Sequence, residues 1–234
     1  MAELPTPVPA DPPRTALLLG ATGLVGGHLL DRLAADGRWG RVVTLGRRPM
    51  EAVGARHEHH VVDFERLADS ADAFRADDVF CALGTTIRQA GSQTAFRRVD
   101  LDYPFLAAQM ARHGGARQFL LVSALSADAN SRIFYSRIKG QLEVLVGEVG
   151  FDSVGLFRPS FIVGERAEKR SGEGVASGVL TVLRPVLVGP LRKLRPNPAD
   201  TIAQAMVAVA ARPRPGVHVY SADRLEGLAA EGAA

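Results

Sequence analysis

The chain has 234 residues, 47% of them hydrophobic and 23% charged, with a formal net charge of +3. That length and apolar content suit one α/β domain with a small appendage, and no apolar run reaches the length of a membrane span. Charges of both signs are interspersed without a basic run carrying aromatics, which argues against a nucleic-acid partner; the lone Cys81 excludes an internal disulfide and leads us to expect a reducing, cytoplasmic setting.

Residues 1–14 contain Pro5, Pro7, Pro9, Pro12 and Pro13 and read as a disordered or polyproline lead-in without the features of a secretory signal. The rest is organised around 17–30, LLLGATGLVGGHLL. The apolar run 16–19 predicts a buried strand that ends in Gly20. Glycines follow at the spacing Gly20-x-x-Gly23-x-x-Gly26, with Gly27 beside the last, and helical apolar periodicity starts at Leu24 and Val25. Gly20 permits the sharp turn through Ala21 and Thr22, Gly23 lets the backbone approach a pyrophosphate, and Gly26 or Gly27 lets the helix pack on the strand. The free N–H groups of the first helical turn, from Leu24 and Val25, then face phosphates.

The β-branched run 41–45 predicts a second strand at βαβ spacing, followed by Gly46, Arg47 and Arg48. An NAD site favours an acid near this strand end. A glycine and two guanidiniums favour a 2′-phosphate, and so NADP(H) over NAD(H). His57, His59 and His60 lack a matching acid or cysteine and read as a surface turn rather than a metal site. Residues 61–63 predict a third strand ending in Asp63, which either approaches the adenine or caps a helix at 64–74. A fourth strand, 77–83, places Leu83, Gly84 and Thr85 at its C-terminal end, where ligands of open parallel sheets bind. Cys81 reads as a packed strand residue. A helix at 96–113, a fifth strand at 118–122 and Ser123 follow.

Tyr135 and Lys139 stand four residues apart in YSRIKGQLEVLV, on one face of a predicted helix. A phenol is a poor base at neutral pH, and a neighbouring ammonium lowers its pKa. Tyr135 can then exchange a proton with a substrate oxygen while hydride moves to or from nicotinamide, and Ser123 can hold that oxygen. Ser126 and Ser131 compete for Ser123's role. A sixth strand, 151–157, delivers Arg158 and Pro159, whose backbone would bracket the nicotinamide edge. Segment 164–196 reads as a substrate cap, and its Arg166, Arg170, Arg184 and Arg192 suit either an anionic substrate or a solvated face. A helix at 199–211 and a strand at 216–220 precede a tail, 226–234, expected to fray. The domain is expected to span 15–225, with a homodimer conceivable through the helices near 94–113 and 136–149.

The pieces LGATGLVGG (19–27), LGRRP (45–49), VVDFE (61–65), CALGTT (81–86), VDLDY (99–103), YSRIKGQLE (135–143) and FRPSFIVGER (157–166) resemble the short-chain dehydrogenase/reductase superfamily, and more narrowly its atypical Tat-interacting-protein-like oxidoreductases. The resemblance implies a three-layer, doubly wound Rossmann fold, NADPH binding and a Ser-Tyr-Lys set at Ser123, Tyr135 and Lys139. Ala124 departs from it, because relatives often carry a second serine there. The expected function is an NADP(H)-dependent oxidoreductase acting on a small carbonyl or alcohol. Two alternatives are an NADPH-binding redox sensor without turnover and an NAD(P)-dependent epimerase or isomerase.

Overall fold

The computed structural model of the chain describes residues 13–164 and 194–232. The proline-rich lead-in up to residue 12, and the cap with Arg166, Arg170, Arg184 and Arg192, lie outside the described residues. Strand β1 (Arg14–Leu19) leads to helix α1 (Leu24–Ala35), β2 (Trp39–Gly46) and β3 (His57–Val61). A 3-10 stretch (Phe64–Phe74) connects to β4 (Asp78–Cys81). Two short helices, α2 (Ile87–Ala90) and α3 (Gln93–Arg97), run through a π turn (Arg98–Asp102) into α4 (Tyr103–His113). Then come β5 (Gln118–Val122), α5 (Phe134–Glu148), β6 (Ser153–Arg158) and the two-residue pair β7 (Ile162–Val163) and β8 (Asn197–Pro198). Helix α6 (Ala199–Ala211), β9 (Gly216–Ser221) and α7 (Leu225–Glu231) follow.

Seven strands form one parallel sheet in the order β3-β2-β1-β4-β5-β6-β9. Its central strands are largely apolar because both faces are covered, with Asp78 and Gln118 as buried polar exceptions at their starts. Successive residues serve opposite layers. Leu17 and Leu19 of β1 pack with Phe119, Ala107, Ala108, Ile138 and Leu142 on the α4/α5 side. Ala16 and Leu18 pack with Phe80, Leu29, Leu33, Ile202 and Met206 on the α1/α6 side. This is the doubly wound Rossmann architecture. From β1 the chain winds outward through β2 and β3, then returns to place β4 on the other side of β1. The crevice at the C-terminal ends of β1 and β4 is the switch point where such sheets bind ligands.

Four expectations change. The third strand is His57–Val61 rather than 61–63, so the histidines lie in a strand and not in a turn. The segment after Asp63 is a kinked 3-10 stretch, with non-helical backbone at Arg66 and Ser70. The helix expected over 96–113 is interrupted by the π turn. The tail expected to fray is helical through Glu231, because Leu225 and Ala229 are buried beside α6.

Helix α5 lies unusually close to the loop that precedes it. A Cβ at Gly140 would stand 2.1 Å from Ala129 N and 2.2 Å from Asp128 C, so only glycine permits this contact. The contact holds the chain between Ser123 and Tyr135 against the helix. Gly140→Ala is expected to cost about 1–3 kcal/mol of unfolding free energy through overpacking. Gly227→Ala in α7, where a Cβ meets nothing within 4 Å, is expected to gain about 0.5–1 kcal/mol. Urea unfolding of the two variants checks the opposite signs.

Candidate active site

The glycine motif is a constrained cradle. Gly20 has φ +87°, and a Cβ there would fall 2.6 Å from Ala82 O and 2.9 Å from Leu83 N. A Cβ at Gly26 would fall 2.0 Å from Gly20 O, whereas one at Gly27 would meet only ordinary contact. Gly26 is therefore the position that lets α1 close on the turn. Gly23 N–H donates to Gly20 O at 2.9 Å, and Gly27 N–H donates to Gly23 O at 2.9 Å. The N–H groups of Leu24, Val25 and Gly26 precede that first bond of the helix. No side chain caps them, and no acid stands in the first turn. Thr22 and Gly23 are exposed at the rim. This donor set, with its positive dipole end, fits a pyrophosphate.

Arg47 and Arg48 are exposed beyond β2, where the Arg47 charge is felt by the Tyr103 phenol. Asp63 is exposed and accepts from Glu65 N–H at 2.9 Å, so its capping role is realised. Leu83, Gly84 and Thr85 form the opposite wall of the crevice, with Gly84 exposed.

The Tyr135–Lys139 pair sits under that wall. Lys139 is 5% exposed, and its Nζ lies 2.7 Å from Oδ1 of Asp100, whose side chain is fully buried. The two opposite charges are in direct contact. The other carboxylate oxygen of Asp100 accepts from Thr85 N–H at 2.9 Å. A Cβ at Gly84 would come within 3.7 Å of Lys139 Nζ. Burial pulls the Lys139 ammonium down, but Asp100 and Tyr135 outweigh it and hold it above the ordinary lysine value. Lys139 is therefore a permanent cation at neutral pH. The Tyr135 ring packs on Phe96 with centroids 5.7 Å apart. Residues 96–100, spanning α3 and the π turn, thus support both members of the pair. π turns recur at functional sites.

Ser123 is buried at the end of β5. Its backbone N–H donates to Phe157 O at 2.7 Å, while its hydroxyl has no partner. The competing serines are engaged: Ser136 Oγ donates to Ser126 Oγ at 3.0 Å, and Ser131 Oγ accepts from Ile133 N–H at 3.2 Å. At Arg158 the side chain turns away from its backbone's expected place in the crevice wall. Its guanidinium is forked onto Glu143, with Nε to Oε1 at 2.9 Å, which directs it toward α5. The Pro159 carbonyl accepts from Leu125 N–H at 2.9 Å, fixing the loop after β6 to the loop after β5. Cys81 is fully buried, and burial pushes its thiol up to about 11, which suits packing and not nucleophilic work.

The residue that the sequence did not single out is Asp100. Its signal was an acid inside the apolar periodicity before α4, within VDLDY. Asp100→Ala leaves a buried, unpaired ammonium and is expected to cost about 3–5 kcal/mol. Asp100→Asn keeps an acceptor for Thr85 N–H and is expected to cost less. Because the folded Lys139 pKa is raised, the pair stabilises fully at neutral pH and is lost as pH rises through that value. Urea unfolding at neutral and alkaline pH reads this: the gap between wild type and Asp100→Ala should narrow in alkali.

Comparison with known proteins agrees with this geometry. A profile described as NAD dependent epimerase/dehydratase family matches residues 16–132. Protein HTATIP2 of Rattus norvegicus is 39% identical over 167 residues, covering 70% of this chain and 69% of its own. Protein fmp52, mitochondrial, of Aspergillus niger is 32% identical over 199 residues, covering 81% and 84%. Among solved structures, MoeE5 in complex with UDP-glucose and NAD superposes with a TM-score of 0.68 at 19% identity, covering 93% of this chain and 81% of its own. UDP-glucose 4-epimerase of Thermotoga maritima superposes with a TM-score of 0.65 at 15% identity, covering 88% and 76%. The cytoplasmic expectation does not stand, since the fungal relatives from Aspergillus niger, Scheffersomyces stipitis and Debaryomyces hansenii are all named as mitochondrial proteins. A single cysteine forms no internal disulfide in any compartment, so Cys81 carried no information on this point. Among the described residues no helix is long and apolar enough to cross a membrane. By its glycine cradle, its sheet order and these matches, the chain belongs to the NAD dependent epimerase/dehydratase family, with a short-chain dehydrogenase/reductase-like Rossmann fold.

Proposed function

We propose that the protein is an NADP(H)-dependent oxidoreductase that interconverts a small carbonyl and its alcohol. The observation that carries the reading is the Tyr135–Lys139 pair on α5, set beneath the cofactor wall with the partnerless Ser123 hydroxyl at the neighbouring strand end. The first-turn N–H groups of α1 would hold the pyrophosphate, and Arg47 or Arg48 the 2′-phosphate. When bound, the nicotinamide supplies or accepts the hydride at the carbonyl carbon. Ser123 Oγ donates a hydrogen bond to the substrate oxygen and positions it. Tyr135 Oη gives its proton to that oxygen in reduction and takes it back in oxidation. Lys139, held cationic by Asp100, stabilises the phenolate left behind.

A second reading is an epimerase that keeps its cofactor through turnover, and the family profile favours it. The setting we infer is mitochondrial, after the names of the fungal relatives. Leu106 on α4 and Val144 on α5 are exposed and offer the faces on which a homodimer would pair.

Tyr135→Phe tests the mechanism. Turnover on a panel of carbonyl substrates is expected to fall about 100- to 10,000-fold, while NADPH affinity measured by calorimetry stays within about twofold. Unchanged turnover would remove Tyr135 from the chemistry.

A further inference from the structure

Within the apolar run of β2, Thr44 is fully buried. The register sets it opposite His59, and His57 stands two residues back on the same face of β3. Thr44 Oγ1 lies 2.8 Å from His57 Nε2 and 2.8 Å from His59 Nδ1. Val53 N–H donates to His57 Nδ1 at 2.9 Å, and His59 Nε2 lies 2.9 Å from the Arg48 carbonyl.

With both rings in their neutral forms, these four contacts admit one proton arrangement. A carbonyl only accepts, so His59 carries its proton on Nε2 and its Nδ1 accepts from the Thr44 hydroxyl. An amide N–H only donates, so His57 Nδ1 accepts and its Nε2–H donates to Thr44 Oγ1. The run is Val53 N–H to His57, to Thr44, to His59, to Arg48 O. Met50 Sδ, 3.7 Å from Thr44 Oγ1, is the weaker acceptor. A proton added to His57 Nδ1 would face the Val53 N–H donor, so the chain requires a neutral His57 ring.

This chain of bonds grips the loop after β2 at two points, Arg48 O near its start and Val53 N–H near its end. Gly46 is part of the same device. A Cβ there would stand 2.9 Å from His59 Cε1, so the space that the missing side chain leaves is filled by the imidazole. Arg47 lies between Gly46 and the clamped Arg48. The charged groups around the rings are few. Glu58 and His60 project to the other face of β3, where Glu58 pairs with Arg41 of β2 at 2.7 Å and lies 3.9 Å from His60. Burial and the His59 ring hold His57 below the ordinary imidazole value, against a weaker upward pull from Glu58, so its neutral form is favoured at neutral pH.

We propose that Thr44, His57 and His59 are positioning residues for cofactor specificity: their hydrogen-bond chain fixes the 46–53 loop so that Arg47 and Arg48 meet the 2′-phosphate of NADP(H). The inference rests on the NADP(H) reading above and adds what sets it. It also gives the site a sign with pH: protonation of His57 breaks the chain at Val53 and frees the loop in acid.

Calorimetry of the full chain with NADPH and with NADH tests the proposal on wild type, Thr44→Val and Thr44→Ser. Thr44→Val removes the hydroxyl at nearly constant shape and is expected to weaken NADPH binding about tenfold, the worth of one misplaced charge-assisted bond, with NADH within about twofold. Thr44→Ser keeps the hydroxyl and is expected to retain the discrimination. Equal losses for both cofactors in Thr44→Val, or no loss, would overturn the specificity role. The 2′-phosphate itself titrates near pH 6, so the pH arm is read on the imidazoles and not on affinity. Nitrogen NMR of the wild-type histidine rings, with no cofactor present, is expected to show His57 neutral and both rings protonated on Nε2 at neutral pH. An Nδ1–H tautomer on either ring would overturn the bond chain without touching the NADP(H) reading. Equal wild-type affinities for NADPH and NADH would overturn the NADP(H) reading, and the specificity role with it, even if both rings showed the expected tautomer.

Discussion

The closest constraint among the described glycines is the approach of α1 to the turn that precedes it. The Gly26 position leaves no room for even one carbon against Gly20 O, and the Gly20 position leaves none against Ala82. Each contact ties a part of the crevice to another. The first brings the open N–H groups of α1 to the end of β1. The second brings the wall 82–85 up to the same place, reinforced by Ala82 N–H donating to Leu19 O at 2.9 Å. A larger side chain at either glycine would part the pieces by more than a phosphate site tolerates, since the donors act only within hydrogen-bond reach.

On the other side of the wall, the buried Asp100–Lys139 pair makes the corresponding tie at the proposed catalytic residues. One carboxylate binds the backbone of Thr85 and the ammonium of Lys139, so the 83–85 wall and α5 are fixed to each other through a single side chain. Isolated, either charge would be costly to bury; together they are tolerated because each supplies the other's partner. Phe96, four residues earlier, supports Tyr135 from the same stretch. The π turn at Arg98–Asp102 is where the helix departs from regular geometry, and Asp100 is at its centre.

Much of this was legible in the sequence, and the reasons are local. Glycine spacing after an apolar run fixes a turn and a helix start, so Gly20, Gly23 and Gly26 fell where expected. Strand β5 and helix α6 have the bounds that their apolar periodicity predicts. Tyr135 and Lys139 are neighbours by helical geometry alone. What escaped depends on contacts across the sheet. Asp100 is far in sequence from Lys139, and nothing local announces the pairing. The histidines 57 and 59 read as a polar turn because imidazoles are unusual in a strand, and only the register with Thr44 shows why they are there. The pairing of the Arg158 guanidinium with Glu143 on α5 is likewise a contact that nothing local announces. The C-terminal helix has the alanine-rich look of a frayed end, yet Leu225 and Ala229 find α6 to pack on.

A crystal structure of the protein with NADPH tests the central claim most directly. The account predicts the pyrophosphate on the N–H groups of Leu24 and Val25, the 2′-phosphate on Arg47 or Arg48, and the nicotinamide facing Tyr135 with Ser123 Oγ open to a substrate oxygen. A cofactor bound with its nicotinamide away from Tyr135, or with its 2′-phosphate in solvent, would contradict it.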